Sequence, residues 1–260
     1  MAVQESKRSS TIASLDVCSG LSKKQQAIVE RELELLDIAK QIVINEGFAH
    51  LTMDKVAAAS AYSKGTIYNH FISKEDLITA LGAQAFRKEI QFFRRALAFA
   101  GNSREKLVAM HVGYSLFTRL EPVLSLCVLT CRTPFVIEKS SKERLDYFIQ
   151  LEEELVTISD SFLSYGIESG ALVLPDSLCR EGVVFANWSM AFGSNALMNN
   201  ASQSCCVSRL ALNHSVLQNA NLLLDGLGWL PLSSDFDYQQ SWLRIEKEVF
   251  AEEVRQLASF

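Results

Sequence analysis

Ser63 to Lys74 read "SKGTIYNHFISK". Ser63 and Ser73 are both helix-capping residues, so the stretch reads as a short helix ending near Phe71 and a second helix starting at Lys74. On a helical wheel Ile67, Phe71 and the cap Ser63 share one side, while Gly65, Thr66, Tyr68 and Asn69 share the other. Glycine inside a helix costs ~1 kcal/mol relative to alanine. At the second helical position, on the outward face, its missing side chain lets another surface approach the free N–H groups of the first turn. Those groups, with the helix dipole, attract phosphate, and Lys64 adds a full positive charge beside them.

The chain before this stretch supplies a partner helix. Residues 1–21 are polar, serine-rich and aperiodic, and are expected to form a mobile tail. Ser22 and Gln25 have the spacing of a capping box. The helix that follows carries Leu35, Leu36, Ala39, Ile42 and Val43 on one face and stops at Gly47. Thr52 caps a short helix that runs to about Ser60, with Val56 and Ala57 inward. Two short helices joined by a tight turn, the second polar on its outer face, follow the helix-turn-helix plan, in which the second helix enters the DNA major groove. Asn69 suits adenine, Lys64 suits guanine, and Thr66 suits thymine or phosphate. Tyr68, His70 and Lys74 suit phosphate, and Thr52 is placed to hold one at a helix start.

Over Leu36 to Leu81 the chain resembles the TetR family of transcriptional regulators. The residues that carry the likeness are "IVINEGFAHLTMDKVAAAS" and "YSKGTIYNHFISKEDL", with Ser63, Gly65, Thr66, Tyr68, His70, Phe71, Lys74 and Leu77 in the family's order. The resemblance implies that Lys64, Gly65, Thr66, Tyr68, Asn69 and His70 face DNA and that Lys74 meets a phosphate at the start of the fourth helix. Ala61 departs from the pattern, because the family usually has glycine in this turn. A non-glycine residue at positive φ is strained, so an altered or slightly costly turn is expected. Asp54 is unusual on a groove side; it would repel phosphate, read a cytosine amino group, or balance Lys55.

Composition agrees with a small anion-facing head on an acidic body. The net charge is −5, but residues through Lys74 carry nine Lys and Arg against eight Asp and Glu, and the excess of acid lies beyond them. No run approaches the ~20 apolar residues of a membrane span, and the first twenty residues lack the apolar run of a secretory signal. A soluble cytoplasmic protein with reduced thiols is expected.

Beyond Lys74 the chain reads as helix after helix: from Lys74 toward Gly101, then about Arg104–Leu120, Pro122–Cys131, Lys142–Glu168, Asp176–Asn200, Ser208–Leu227 and Asp237–Ala258. "ALVLP" at 171–175 reads as an extended linker. The resemblance thins after Leu81 and returns in form at "SYGIESGALVLP" and "LLLDGLGWLP". It implies a pair of dimerisation helices over 176–200 and 208–227, forming a four-helix bundle across a two-fold axis. Ala186, Met190, Gly193 and Leu197 give the first helix a seam with small residues, and Leu210, Leu217 and Leu224 give the second a heptad seam. It also implies an effector cavity between the heads and the bundle. Phe93, Met110, Tyr114, Phe117, Cys127 and Phe148 are the expected apolar lining, each also readable as ordinary core. The helix rich in Trp242, Ile245, Val249, Phe250 and Leu257 is expected to pack on the dimerisation pair or extend it.

The expected fold is therefore all-α: an N-terminal three-helix helix-turn-helix DNA-binding domain, 22–77, then a helical ligand-binding and dimerisation domain, 78–260. The expected partners are double-stranded DNA at a palindromic operator, a hydrophobic small-molecule effector and a second copy of the chain, with no membrane, metal or cofactor. No nucleophile elbow, phosphate loop or metal-ligand cluster points to an enzyme. The rival reading is a small-molecule binder or a thiol-based redox sensor with weakened DNA binding. Cys127 and Cys131, one turn apart, and the pair Cys205–Cys206 carry it.

Overall fold

The computed structural model describes residues 22–210 and 214–259. The tail expected over 1–21, with Cys18, lies outside the described residues. Among these residues there is no strand. The helices are α1 (Lys23–Glu46), α2 (Met53–Ala59), α3 (Lys64–Tyr68), α4 (Lys74–Leu97), α5 (Ser103–Leu120), α6 (Pro122–Thr130), α7 (Pro134–Ile137), α8 (Lys142–Glu168), α9 (Arg180–Asn200), α10 (Ser215–Gly226), α11 (Tyr238–Glu248) and α12 (Ala251–Ala258).

Local chemistry sets the head. The Ser22 hydroxyl accepts from the Gln25 N–H, and the Gln25 carboxamide accepts in return from the Ser22 N–H at 2.9 Å, the reciprocal pairing of a capping box. Gly47, at φ 86°, ends α1. Thr52, Ser63 and Ser73 cap α2, α3 and α4 through their hydroxyls. Leu35, Leu36, Val56, Ile67 and Phe71 close a small core beneath them.

The turn between α2 and α3 needs no glycine. His214 is the sole non-glycine residue at positive φ among the described residues, so Ala61 carries no such strain. The Ser60 hydroxyl organises the turn instead, donating to the Ala57 carbonyl and accepting from the Tyr62 N–H, both at 3.2 Å. Tyr62 then anchors it to α1, donating to Glu34 at 2.7 Å.

α4 is the spine. Its first turns complete the head core through Leu77 and Leu81, and it continues unbroken into the body, against α5, α6 and α8. Two buried junctions lock the far end. Arg104 of α5, with no exposed surface, donates to the carbonyls of Trp229 and Pro231 and to Asn221, and pairs with Asp225 at 2.7 Å. Gly166 of α8 lets the Trp229 ring lie directly on the helix backbone.

Three expectations are corrected. α9 begins at Arg180 rather than at 176, capped by the Cys179 sulfur, which accepts from the Gly182 N–H at 3.3 Å. α10 begins at Ser215, so Leu210 lies outside it. The C-terminal segment is two helices broken at Phe250, and it packs mainly on α5 rather than on α9 and α10. The reason is local: Phe250 fills the place of the missing side chain at Gly113 and stacks on Phe92 at 5.4 Å, while Arg95 forks onto Glu253 at 2.5 and 3.0 Å.

A methyl group at position 166 would lie 2.4 Å from the Trp229 ring, which is 1% exposed and cannot swing away. Overpacking of this kind costs ~1–3 kcal/mol, more than the ~1 kcal/mol alanine gains in a helix. Gly166→Ala is expected to lower the urea midpoint, and an unchanged midpoint would show that the ring is not held there.

Candidate nucleic-acid interface and effector cavity

The outer face of α3 carries the residues the sequence assigns to it. Lys64, Gly65, Tyr68 and Asn69 are exposed and Thr66 is half-buried. Around Gly65 a side chain would find open space, with Ser63 Oγ the nearest atom at 3.9 Å. Thr52 is exposed at the start of α2, its oxygen accepting from the Lys55 N–H at 3.2 Å. Asp54 balances Lys64 rather than Lys55: it pairs with Lys64 at 2.5 Å, both ends well exposed, while Lys55 goes to Glu46. Exposed pairs are weak, so Lys64 is readily exchanged to a phosphate. Lys74 is half-buried at the first position of α4.

His70 does not share that face. Its side chain is 6% exposed, with Nδ1 3.5 Å from Glu32 of α1. It belongs to a junction built around Arg144, near the start of α8. The guanidinium donates to Glu32 at 2.9 Å, to the His70 carbonyl at 2.8 Å and to Asp76 at 3.3 Å, and lies 4.6 Å above the Phe71 ring. Asp76, 1% exposed, also accepts from the N–H groups of Ile72 and Ser141 and from the Ser141 hydroxyl. One residue of the body thus holds α1, the end of α3 and the start of α4 together. Nothing in the local sequence of Arg144 marks this, because all its partners are remote.

Removing the Arg144 side chain takes the guanidinium from Glu32 and the His70 carbonyl and one of several donors from Asp76. A hydrogen bond to a charged group is worth ~1.5–3 kcal/mol. Arg144→Ala is expected to loosen the end of α3 by ~2 kcal/mol, read as roughly 30-fold faster amide exchange from Tyr68 to Ile72. Exchange within α5 and α9 should be unchanged; a uniform rise across the chain would mean the junction is not local.

A cavity of about 320 Å³ opens in the body between α4, α5, α8 and α9. Phe93, Met110 and Tyr114 line it, as the sequence indicates. Phe117, Cys127 and Phe148 do not. Phe117 packs edge-on against Phe92, Cys127 is fully buried, and Phe148 stacks on Phe86 at 4.8 Å. Sequence reasoning missed the polar part of the lining: Glu89, Arg132, Glu152, Asp160, Glu181 and Asn187. Glu89 left one signal, an acid at the i+3 position of an otherwise apolar run, Phe86, Ile90 and Phe93.

Glu89 is 4% exposed, and its Oε1 has no hydrogen-bond partner. Burial raises its pKa from near 4.5 to about 8, against an opposing pull from Arg132. His111, behind the cavity wall, is fully buried with Nε2 3.0 Å from Asn187 Oδ1; burial lowers its pKa from near 6.5 to about 4. Cys127 and Cys131 are buried, and burial pushes both thiols up, Cys131 to about 12. Buried protonated thiols are poor nucleophiles, which disfavours the redox reading at this pair. Cys205 and Cys206 are exposed.

These shifts predict a pH profile. Between pH 4.5 and 6.5 the folded chain holds a proton at Glu89 that the unfolded chain has lost, and lacks one at His111 that the unfolded chain has gained; the two slopes oppose. From 6.5 to 8 Glu89 acts alone, and the folded chain binds more protons, so its contribution falls as pH rises by up to ~1.4 kcal/mol per pH unit. Glu89→Gln is expected to abolish that fall in melting temperature; a wild-type profile no steeper than the variant's would show Glu89 ionised when folded.

The expected dimer residues divide. Ala186, Met190 and Gly193 are half-exposed along α9, with open space over Gly193, and Leu197 is 56% exposed. Leu217 and Leu224 turn into their own core, at 4% and 1% exposure. The outward apolar residue of α10 is Leu222, 74% exposed, and Phe185 of α9 is 63% exposed.

Residues 35–81 match the family model described as bacterial regulatory proteins, tetR family. The chain is 22% identical to the fatty acid metabolism regulator protein of Bacillus subtilis (strain 168) over 140 residues, 54% of this chain and 70% of that protein. It is 36% identical to the HTH-type transcriptional regulator UidR of Escherichia coli (strain K12) over 63 residues, 24% of this chain and 32% of UidR. The structure of FadR from Bacillus subtilis in complex with stearoyl-CoA superposes with a TM-score of 0.57 at 18% identity, covering 75% of this chain and 98% of that one. The fold and the head together define a helix-turn-helix DNA-binding protein. Residues 35–81 carry the DNA-binding domain of the tetR family of bacterial regulatory proteins, and the chain shares the fold of solved TetR-family structures.

Proposed function

We propose that the chain acts as a homodimeric repressor, bound to a palindromic operator and released from it by a hydrophobic effector. One observation carries this reading: α8 both walls the cavity, through Leu155, Ser159 and Phe162, and holds the end of α3, through Arg144. A ligand that moves α8 therefore has a direct mechanical path to the recognition helix. It shifts the equilibrium only if it binds the released state more tightly. The relatives named for fatty acid metabolism support an apolar effector for this cavity, and its aromatic lining supports the same.

In this reading Lys64, Gly65, Thr66, Tyr68 and Asn69 form the DNA face, with Thr52 and Lys74 at its edges. His70 acts from behind, by fixing the helix end. The dimer seam is the exposed stripe of α9, from Phe185 to Leu197, joined on α10 by Leu222. Buried Leu217 and Leu224 support that seam from within.

Fluorescence anisotropy on DNA upstream of the chain's own gene tests the assignment. Tyr68→Ala should weaken binding to all sites alike, and Asn69→Ala should relax one base preference by ~1–3 kcal/mol. Leu222→Glu should give monomers by sedimentation and lose operator binding. Unchanged DNA binding in both α3 variants would remove this face from consideration, and a dimeric Leu222→Glu would move the seam elsewhere.

A further inference from the structure

Charge in the cavity is one-sided. Glu89, Glu152, Asp160 and Glu181 line it against a single cation, Arg132. That cation is already engaged: it donates to Glu152 and to the Val128 carbonyl, and its guanidinium lies 5.3 and 5.4 Å from the rings of Phe86 and Phe148. An anionic head group entering here meets carboxylates and no uncommitted cation on the lining.

Glu89 is placed the other way. It projects from the spine helix α4 into the lining, nine-tenths buried, with Oε1 unpartnered. The same lining carries the aromatic side chains of Phe93, Tyr114, Phe162 and Trp188. A buried acceptor without a partner costs ~1–3 kcal/mol, a cost removed when a donor or a cation arrives. Aromatic faces also attract cations, and acids on a low-dielectric rim raise the local cation concentration.

We propose that this cavity takes a hydrophobic cation: an amphiphile whose apolar body lies among the aromatic walls and whose positively charged nitrogen sits against the Glu89 carboxylate. The proposal rests on the effector reading above and names the ligand class. Pairing with a cation requires Glu89 ionised, so binding expels its proton. The charged and titratable groups that share the lining with it are Tyr114 from α5, Arg132 beyond α6, Glu152 and Asp160 from α8, and Glu181 from α9. Tyr114 is held protonated by burial.

Quenching of the lining residues Trp188 and Trp229 reads binding directly. The probes are decyltrimethylammonium, decanol, decanoate and decanoyl-CoA, all below micellar concentration and all sharing one chain length. The cation is expected to bind at least tenfold more tightly than decanol, and the two anions more weakly than decanol. Affinity for the cation should rise from pH 6 to 8, although its own charge is fixed. Glu89→Gln should abolish both the cation preference and the pH dependence while leaving decanol within about twofold. Decanoate or decanoyl-CoA binding as tightly as the cation overturns the proposal, as does a cation preference that survives Glu89→Gln. Operator affinity measured with the same probes separates the two readings. Release by an anion but not by the cation keeps the repressor and sinks the cationic site. Tight Glu89-dependent cation binding with no effect on the operator keeps the site and sinks the effector role.

Discussion

The Arg144 guanidinium is the contact through which the head and the body are registered. It satisfies a carboxylate on α1, a carboxylate on α4 and the last carbonyl region of the recognition helix at once. A guanidinium suits this because its donors lie in a fixed plane and its face stacks on Phe71, whereas an ammonium offers neither feature. Asp76 is almost completely buried and is tolerable only because Arg144, Ser141 and the Ile72 N–H all serve it. The direction of α3 thus depends on where α8 begins.

The same helix spine produces the opposite chemistry further along. Asp76 and Glu89 both sit on the buried side of α4. Asp76 meets a full set of donors and stabilises the junction. Glu89 has no hydrogen-bonded donor at Oε1, and burial outweighs the opposing pull of Arg132, so its proton is retained. A core that only needed filling would be better served there by leucine or glutamine. The retained carboxyl makes sense as a group whose partner arrives from outside.

How much of this was legible in the sequence depends on range. The head was readable almost residue by residue, because capping hydroxyls, Gly47 and the Ile67–Phe71 face act within one or two turns. The turn at Ala61 is not legible in this way, because the family's glycine implies a positive φ that Ser60 and Tyr62 make unnecessary. In the body the helical pattern is legible in the sequence, but the faces the helices bury are not. Leu217 and Leu224 have the spacing of a seam and are core, since heptad spacing cannot say which partner fills it. Phe117 and Phe148 are aromatic and apolar like the true lining, yet they pack solid; a void is defined by what several remote helices fail to fill. The His70 side chain turned inward because Glu32, thirty-eight positions earlier, waits behind it.

α9 draws these threads together. Val183, Asn187 and Ala191 face the cavity, while Leu197 and much of Phe185 face outward. In the proposed dimer this helix would be clamped between ligand and partner, whereas α8 packs on α4 and α5 and reaches the head through Arg144 at its start. A wall fixed by a second subunit would yield less easily to a ligand, so the proposed mechanism routes the displacement through α8. Close packing transmits such displacements rather than absorbing them. The Arg144 junction is the contact that joins the α8 wall of the cavity to the end of α3, which is where the proposed release needs the movement to arrive.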